Sequence, residues 1–166
     1  MTYYEAFGLE PKLTLDVEDL QQRFYRLSRE YHPDRFTRRP AEEQQQALER
    51  TSVLNDGLRI LKDPIRRAEY VLKNHGFDIG EQRTKDVPPE LLEEVFELNM
   101  ALEESDKEQL AAFQTKFEAM RNQIDSELGA MFARYDEAQS RDELARIRGV
   151  LNRRRYIDNL IQKIGV

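Results

Sequence analysis

The stretch REYHPDRF, residues 29–36, decides how the first half of this chain is read. It ends a run in which Val17, Leu20, Phe24, Leu27 and Tyr31 step by three and four, the spacing of one helix face. Proline has no backbone N–H and keeps the residue before it out of the α region, so His32-Pro33 stops the helix. A histidine near that end also interacts favourably with the helix dipole. A plain helix stop accounts for these residues taken alone. Their surroundings say more: Arg23, Arg26, Arg29, Arg35, Arg38 and Arg39 oppose only Glu30 and Asp34 between residues 23 and 39. A long helical pattern follows and can return antiparallel. The segment then reads as a helical hairpin with a basic first helix and a polar, proline-stiffened tip, suited to docking on an anionic protein surface. A solvated charged helix face is the competing reading.

The remaining prolines, Pro11, Pro40, Pro64, Pro88 and Pro89, also fall where helices begin or end, and alternating strand-like segments are missing. The fold class is therefore all-α. A short helix is expected near Tyr3–Leu9. Asp16 is the expected N-cap of the helix that runs to Tyr31. A third helix spans about Ala41–Leu61 with Ala47, Thr51, Leu54, Leu58 and Leu61 on one stripe; Gly57 weakens it by ~1 kcal/mol relative to alanine. Asp63-Pro64 opens a fourth helix through Ile65, Ala68, Val71 and Leu72, which Gly76 closes. Residues 76–87 read as a connector, in which Phe77 and Ile79 are expected to pack on something.

Beyond it three helices are expected to form an antiparallel bundle. The first starts at Pro88-Pro89 and runs to about Glu104. Ser105-x-x-Glu108 and Ser140-x-x-Glu143 read as capping boxes for the other two. Leu110, Phe113, Phe117, Met120, Ile124, Leu128, Met131 and Tyr135 mark one face of the second helix. Leu144, Ile147, Leu151, Ile157, Ile161 and Ile164 mark the third.

Composition excludes several classes. The 166 residues contain no cysteine and only two histidines, His32 and His75. That leaves no disulfide framework, thiolate nucleophile or sulfur ligand, and little for metal chemistry. Apolar tracts long enough for a membrane span are absent, as is a signal-peptide pattern, so a soluble intracellular protein is expected. Phosphate loops, zinc spacings and histidine-based triads are missing, and the chain is not expected to be an enzyme. Residues 1–75 balance 13 basic against 13 acidic side chains, whereas 76–166 hold 13 against 19, so the formal charge of −6 resides in the second half.

The order of short helix, basic helix, H-P-D and long helix, followed by RILKDPIRRAEYVLKNHG (residues 59–76), resembles a J-domain. That module stimulates ATP hydrolysis by DnaK-class chaperones. The opening YYEAFGLE (3–10), RRAEYVLKNHGFD (66–78) and the appended acidic helices narrow the resemblance to HscB-type J-proteins, over essentially the whole chain. The resemblance implies a J-domain at 1–75, a connector at 76–87 and a client-binding three-helix bundle at 88–166. It implies a dedicated DnaK-class ATPase of HscA type as one partner, and as the other the scaffold protein IscU, delivered for iron–sulfur cluster transfer. It makes His32, Pro33 and Asp34 the ATPase-triggering loop and sets Arg23, Arg26 and Arg29 on the helix that meets an acidic chaperone surface. Arg35 stands where many J-domains have lysine, which keeps the charge and changes the hydrogen-bond geometry. No cofactor or metal is implied, and a cytoplasmic monomer is expected. A chain that begins at the J-domain and lacks cysteine fits the bacterial form.

The helix after Pro89 presents two stripes. Leu91, Val95, Leu98 and Leu102 suffice to pack into a bundle; Leu92, Phe96 and Met100 lie about a quarter turn away. Glu90, Glu93, Glu94, Glu97, Glu103 and Glu104 rim the second stripe without a base among them. A wide core-facing surface would use both stripes; a partner site would expose the second. The resemblance favours the partner site and implies Leu92, Phe96, Glu97 and Met100 as client contacts, with Tyr156 after Arg153-Arg154-Arg155; core packing of Tyr156 is the alternative. A J-domain serving a different client, or nucleic-acid binding through the arginine-rich hairpin, are the competing functions. The pI near 5.1 speaks against the latter.

Overall fold

Asp16 opens α2 (Val17–Glu30) by accepting from the N–H groups of Glu18 and Asp19 at 3.0 and 3.2 Å. Asp63 does the same for α4 (Pro64–Asn74), accepting from Ile65 and Arg66 at 2.9 and 3.2 Å. Between them lie a 3-10 turn, Pro33–Phe36, and α3 (Ala41–Leu61), and ahead of them α1 (Tyr3–Phe7). Then follow α5 (Pro89–Glu103), α6 (Lys107–Ala138) and α7 (Arg141–Ile164). This is a computed structural model; it describes residues 1–79 and 87–165, among which there is no strand. Part of the expected connector, residues 80–86, lies outside the described residues. The chain divides into two compact units, Met1–Val71 and Leu72–Val166.

In the first unit α3 packs against α1 and α2. Tyr4, Phe7, Leu13, Leu20, Leu54 and Leu61 are all buried. α1 is only five residues long, shorter than the Tyr3–Leu9 expected, because Gly8 closes it in the left-handed region at φ 67°. Tyr3 stacks on Tyr70 at 4.8 Å, and its N–H donates to the Tyr70 hydroxyl at 2.9 Å. Arg67 is buried and serves the backbone: Nε donates to Leu13 O at 2.8 Å and Nη1 to Leu61 O at 2.6 Å. Gly57 lies inside α3 where α1 crosses. A Cβ there would come within 2.9 Å of the Phe7 ring and 3.2 Å of Tyr3, so the glycine that weakens the helix is what lets the two helices approach.

The second unit is built on an antiparallel pair, α6 and α7. Phe117, Ile124, Leu128, Met131, Phe132 and Tyr135 bury against Leu144, Ile147, Leu151, Ile157 and Leu160. Ion pairs fix the register: Arg121–Asp158 at 2.7 Å, Arg154–Asp125 at 2.6 Å and Arg134–Glu143 at 3.0 Å. α5 lies along α7 and parallel to it, since Glu94 faces Arg153 at 3.9 Å and, further along both helices, Lys163 donates to Asn99 Oδ1 at 2.7 Å. The bundle is thus up-down-up. The segment after α4 is tied to α7 by arginines seven residues apart. Arg141 donates to His75 O at 2.8 Å, Arg148 to Asp78 O at 2.6 Å and Arg155 to Ile79 O at 2.6 Å. Arg141 also sits 4.3 Å over the Phe77 ring, so Phe77 does pack, as its position in the connector suggests.

Both expected capping boxes of this unit are corrected. α6 is capped one residue later, by Asp106 and Gln109 acting reciprocally, because Ser105 turns its hydroxyl back to Ala101 O at 2.6 Å. Ser140 is the N-cap of α7 but makes no side-chain cap bond. Glu143 is drawn away from the cap, buried between Arg134 and Arg146. Phe132 and Leu160 join the core although the expected stripes omit them, while Ile161 and Ile164 are only half-buried.

Gly57→Ala is expected to lower stability by about 1 kcal/mol in thermal melts followed by circular dichroism: overpacking costs ~1–3 kcal/mol and outweighs a helix-propensity gain of ~1. A raised midpoint would show that Phe7 and Tyr3 yield freely. The Arg146 hydrogen bond, joined by that of Arg134 and by both charges, holds the Glu143 carboxyl below its ordinary 4.5, although burial pushes it up. A depressed carboxyl contributes stability above its unfolded pKa and loses it as pH falls through the folded one. Glu143→Gln should therefore lower the urea midpoint at pH 7, with the gap to wild type closing below about pH 4.5; a gap independent of pH would refute the ionic origin.

Candidate functional site

The tip of the α2–α3 hairpin is fastened from both sides. Tyr31 terminates α2, with its N–H on Leu27 O. Its carbonyl accepts from Thr51 Oγ1 of α3 at 3.3 Å, and Arg50 lies 5.0 Å over its ring. On the return side Gln44, in the first turns of α3, donates to Arg39 O at 2.9 Å and Thr37 O at 3.4 Å. Both anchors belong to α3.

Between these anchors His32 is extended, as a residue before proline must be, and Pro33 starts the 3-10 turn. His32 Nδ1 accepts the Asp34 N–H at 3.2 Å, which assigns the neutral ring's proton to Nε2. The Asp34 carboxylate is 3.6 Å from the same Nδ1. The two side chains are 58% and 88% exposed, and Pro33 is half-buried. The loop is ordered by its own short-range bonds while its imidazole and carboxylate stay accessible.

The arginines divide into two groups. Arg26, Arg29 and Arg35 are exposed and make no side-chain hydrogen bond or ion pair among the described residues. Arg23 is already occupied: Nε donates to Asp19 at 2.8 Å, and Nη1 to Phe7 O and Gly8 O at 3.0 and 3.1 Å. It satisfies the carbonyl end of α1, a task its position in the i, i+3 series does not reveal. Tyr25, 55% exposed beside Arg26 and Arg29, is the apolar element of this face that the sequence reading passes over, because it stands off the helix stripe. An aromatic residue out of register in an otherwise periodic helix was the available signal.

On α5 the two stripes separate as solvent and core. Leu91, Val95 and Leu98 are half-buried and Leu102 is buried. Leu92, Phe96 and Met100 are 40%, 65% and 45% exposed, three of the seven large apolar side chains that are exposed among the described residues. Glu97 is exposed beside them. Tyr156 is half-buried and shares the α7 face of Arg153 and Lys163, whose side chains reach Glu94 and Asn99 of α5. The arrangement is an apolar ridge with carboxylates at its edge, a form suited to a partner with apolar and basic groups. No group of three or more potential metal ligands occurs among the described residues.

Comparison with known proteins gives two family matches that divide the chain. Residues 2–70 match the DnaJ domain and residues 87–165 the family described as "HSCB C-terminal oligomerisation domain". The co-chaperone protein HscB homolog of Vibrio vulnificus is 39% identical over 129 residues, covering 74% of this chain and 75% of that protein. The structure of chaperone HscB from Vibrio cholerae superposes with a TM-score of 0.70 at 28% identity, covering 99% of this chain and 96% of the other. The human co-chaperone protein HscB, at 24% identity and a TM-score of 0.71, covers 99% of this chain and 81% of its own, and shares the fold.

Proposed function

Because the chain belongs to the HscB family of J-domain co-chaperones, we propose that it joins two partners: a DnaK-class ATPase of HscA type and an iron–sulfur scaffold protein of IscU type. The J-domain comprises residues 1–75, the connector 76–87 and the client-binding bundle 88–166. The observation that carries this reading is the α2–α3 tip, where His32 and Asp34 project from a loop held on both sides by α3. Arg26, Arg29 and Arg35 supply free positive charge for an acidic chaperone surface, and Arg23 supports them by fixing α2 to α1. Leu92, Phe96, Glu97, Met100 and Tyr156 form the client face.

Neither surface performs acid–base chemistry, so the mechanism is one of coupling. The tip binds the chaperone more tightly in the arrangement that hydrolyses ATP, and this difference in affinity shifts the chaperone toward it. The ATP and its chemistry stay with the chaperone, and the cluster stays with the client. A cytoplasmic monomer is part of the same proposal. No helix among the described residues is long and apolar enough to cross a membrane.

Asp34→Asn removes the tip's anion and keeps its size. It should lower stimulation of the chaperone's steady-state ATPase at least about tenfold, a coupling of ~1.4 kcal/mol, while client pull-down is unchanged. Full stimulation by this variant refutes the role of the loop. Leu92→Ala/Phe96→Ala should weaken scaffold binding by about 10–100-fold in calorimetry and leave client-free ATPase stimulation intact. Equal affinity removes α5 as the client face.

A further inference from the structure

The sequence holds neither cysteine nor tryptophan, so the groups it offers first to a two-electron oxidant are the thioethers of its four methionines. They differ in access. Met131 lies in the core of the second unit at 4% exposure, and Met120 is half-buried on α6. Met100 is 45% exposed and Met1, in the first unit, 78%. Met100 is thus the open thioether of the second unit. It stands on the apolar ridge of α5, in the i, i+4, i+8 series that begins with Leu92 and Phe96.

A peroxide converts a thioether to a sulfoxide. A sulfur lone pair attacks one peroxide oxygen, and the O–O bond breaks as the S–O bond forms. The proton on the transferred oxygen passes to the departing one, which leaves as water. Sulfur gives up two electrons and the peroxide takes them. The side chain keeps its length but now carries a polar S–O group where it was flexible and apolar. In the free chain this costs little, because the exposed sulfoxide stays hydrated. In a contact that buries the ridge, the oxygen must shed its water and needs a donor. The carboxylates within one turn of Met100, those of Glu97, Glu103 and Glu104, are acceptors and supply none. A partner surface that matches Leu92 and Phe96 is apolar and supplies none either.

We propose that Met100 is a peroxide-sensitive switch on the client face: oxidation of its sulfur to the sulfoxide lowers affinity for the client, and reduction restores it. The reductant is a dithiol acting through a methionine sulfoxide reductase; two thiols become a disulfide and the oxygen leaves as water. The inference rests on the reading of the ridge as the client face and adds a means by which an oxidant sets the occupancy of that face.

The test is to treat the full chain with hydrogen peroxide, remove the peroxide, and titrate the chain with the scaffold protein in a calorimeter. Peptide mass spectrometry follows the sulfoxide content of each methionine. Met100 is expected to oxidise ahead of Met120 and Met131, and the treated chain to bind the scaffold at least about fivefold more weakly. Sulfoxide reductases for both epimers, with dithiothreitol, should return the affinity to its starting value. Met100→Leu is compared with itself, whatever its own starting affinity: the same treatment should leave its binding unmoved, although Met1, Met120 and Met131 remain. Oxidation of Met120 or Met131 before Met100 overturns the proposal. So does undiminished binding by the treated wild type, a loss of equal size in Met100→Leu, or a loss that the reductases fail to reverse. Absence of binding before any peroxide is added overturns the client reading itself, and this proposal with it, so the two failures are told apart by the untreated sample.

Discussion

Arg67 is the one charged side chain buried in the first unit among the described residues, and the hairpin above it depends on how it is satisfied. Its guanidinium joins the carbonyl of Leu13, in the connection between α1 and α2, to that of Leu61, at the end of α3. Removing such a cation would take a donor from each of these two carbonyls, and a buried acceptor left unsatisfied costs about 1–3 kcal/mol. A charged clamp at the base holds together the ends of elements whose apolar contacts alone are modest: α2 commits only Leu20 to full burial. The far end of the hairpin can then be given over to a loop with little packing of its own.

That division explains why the tip combines order with exposure. Thr51, Arg50 and Gln44 all reach from α3, so the loop inherits the position of the longest helix of its unit. His32 and Asp34 hold each other through local bonds and bury little. A trigger that must be read by another protein gains from being fixed before contact, because less freedom is then lost on binding. The bundle follows a similar scheme: α6 and α7 supply the core and register, leaving the shorter α5 free to turn an apolar ridge outward.

Much of this was legible in the sequence because it is written in local chemistry. Asp16, Asp63 and Gly76 mark their helix ends through interactions within a few residues, and the two stripes of α5 differ by a rotation that periodicity reveals. Features that failed to show depend on neighbours far along the chain. Arg23 looks like one more surface cation until α1 is seen to end beside it. Ser105 and Asp106 both suit a cap, and only the backward bond to Ala101 separates them. Glu143 has the spacing of a capping box, yet two arginines compete for it, one of them from the preceding helix.

The ladder of Arg141, Arg148 and Arg155 takes hold of carbonyl oxygens, which every amino acid carries. A grip of this kind is indifferent to the identity of what it holds: the path of residues 75–79 can be preserved while their side chains drift over evolutionary time. The arginines themselves have no such latitude, since a shift by one position would swing a rung about 100° around α7. Mutational tolerance should therefore be lopsided, generous on the segment that is held and narrow on the helix that holds it.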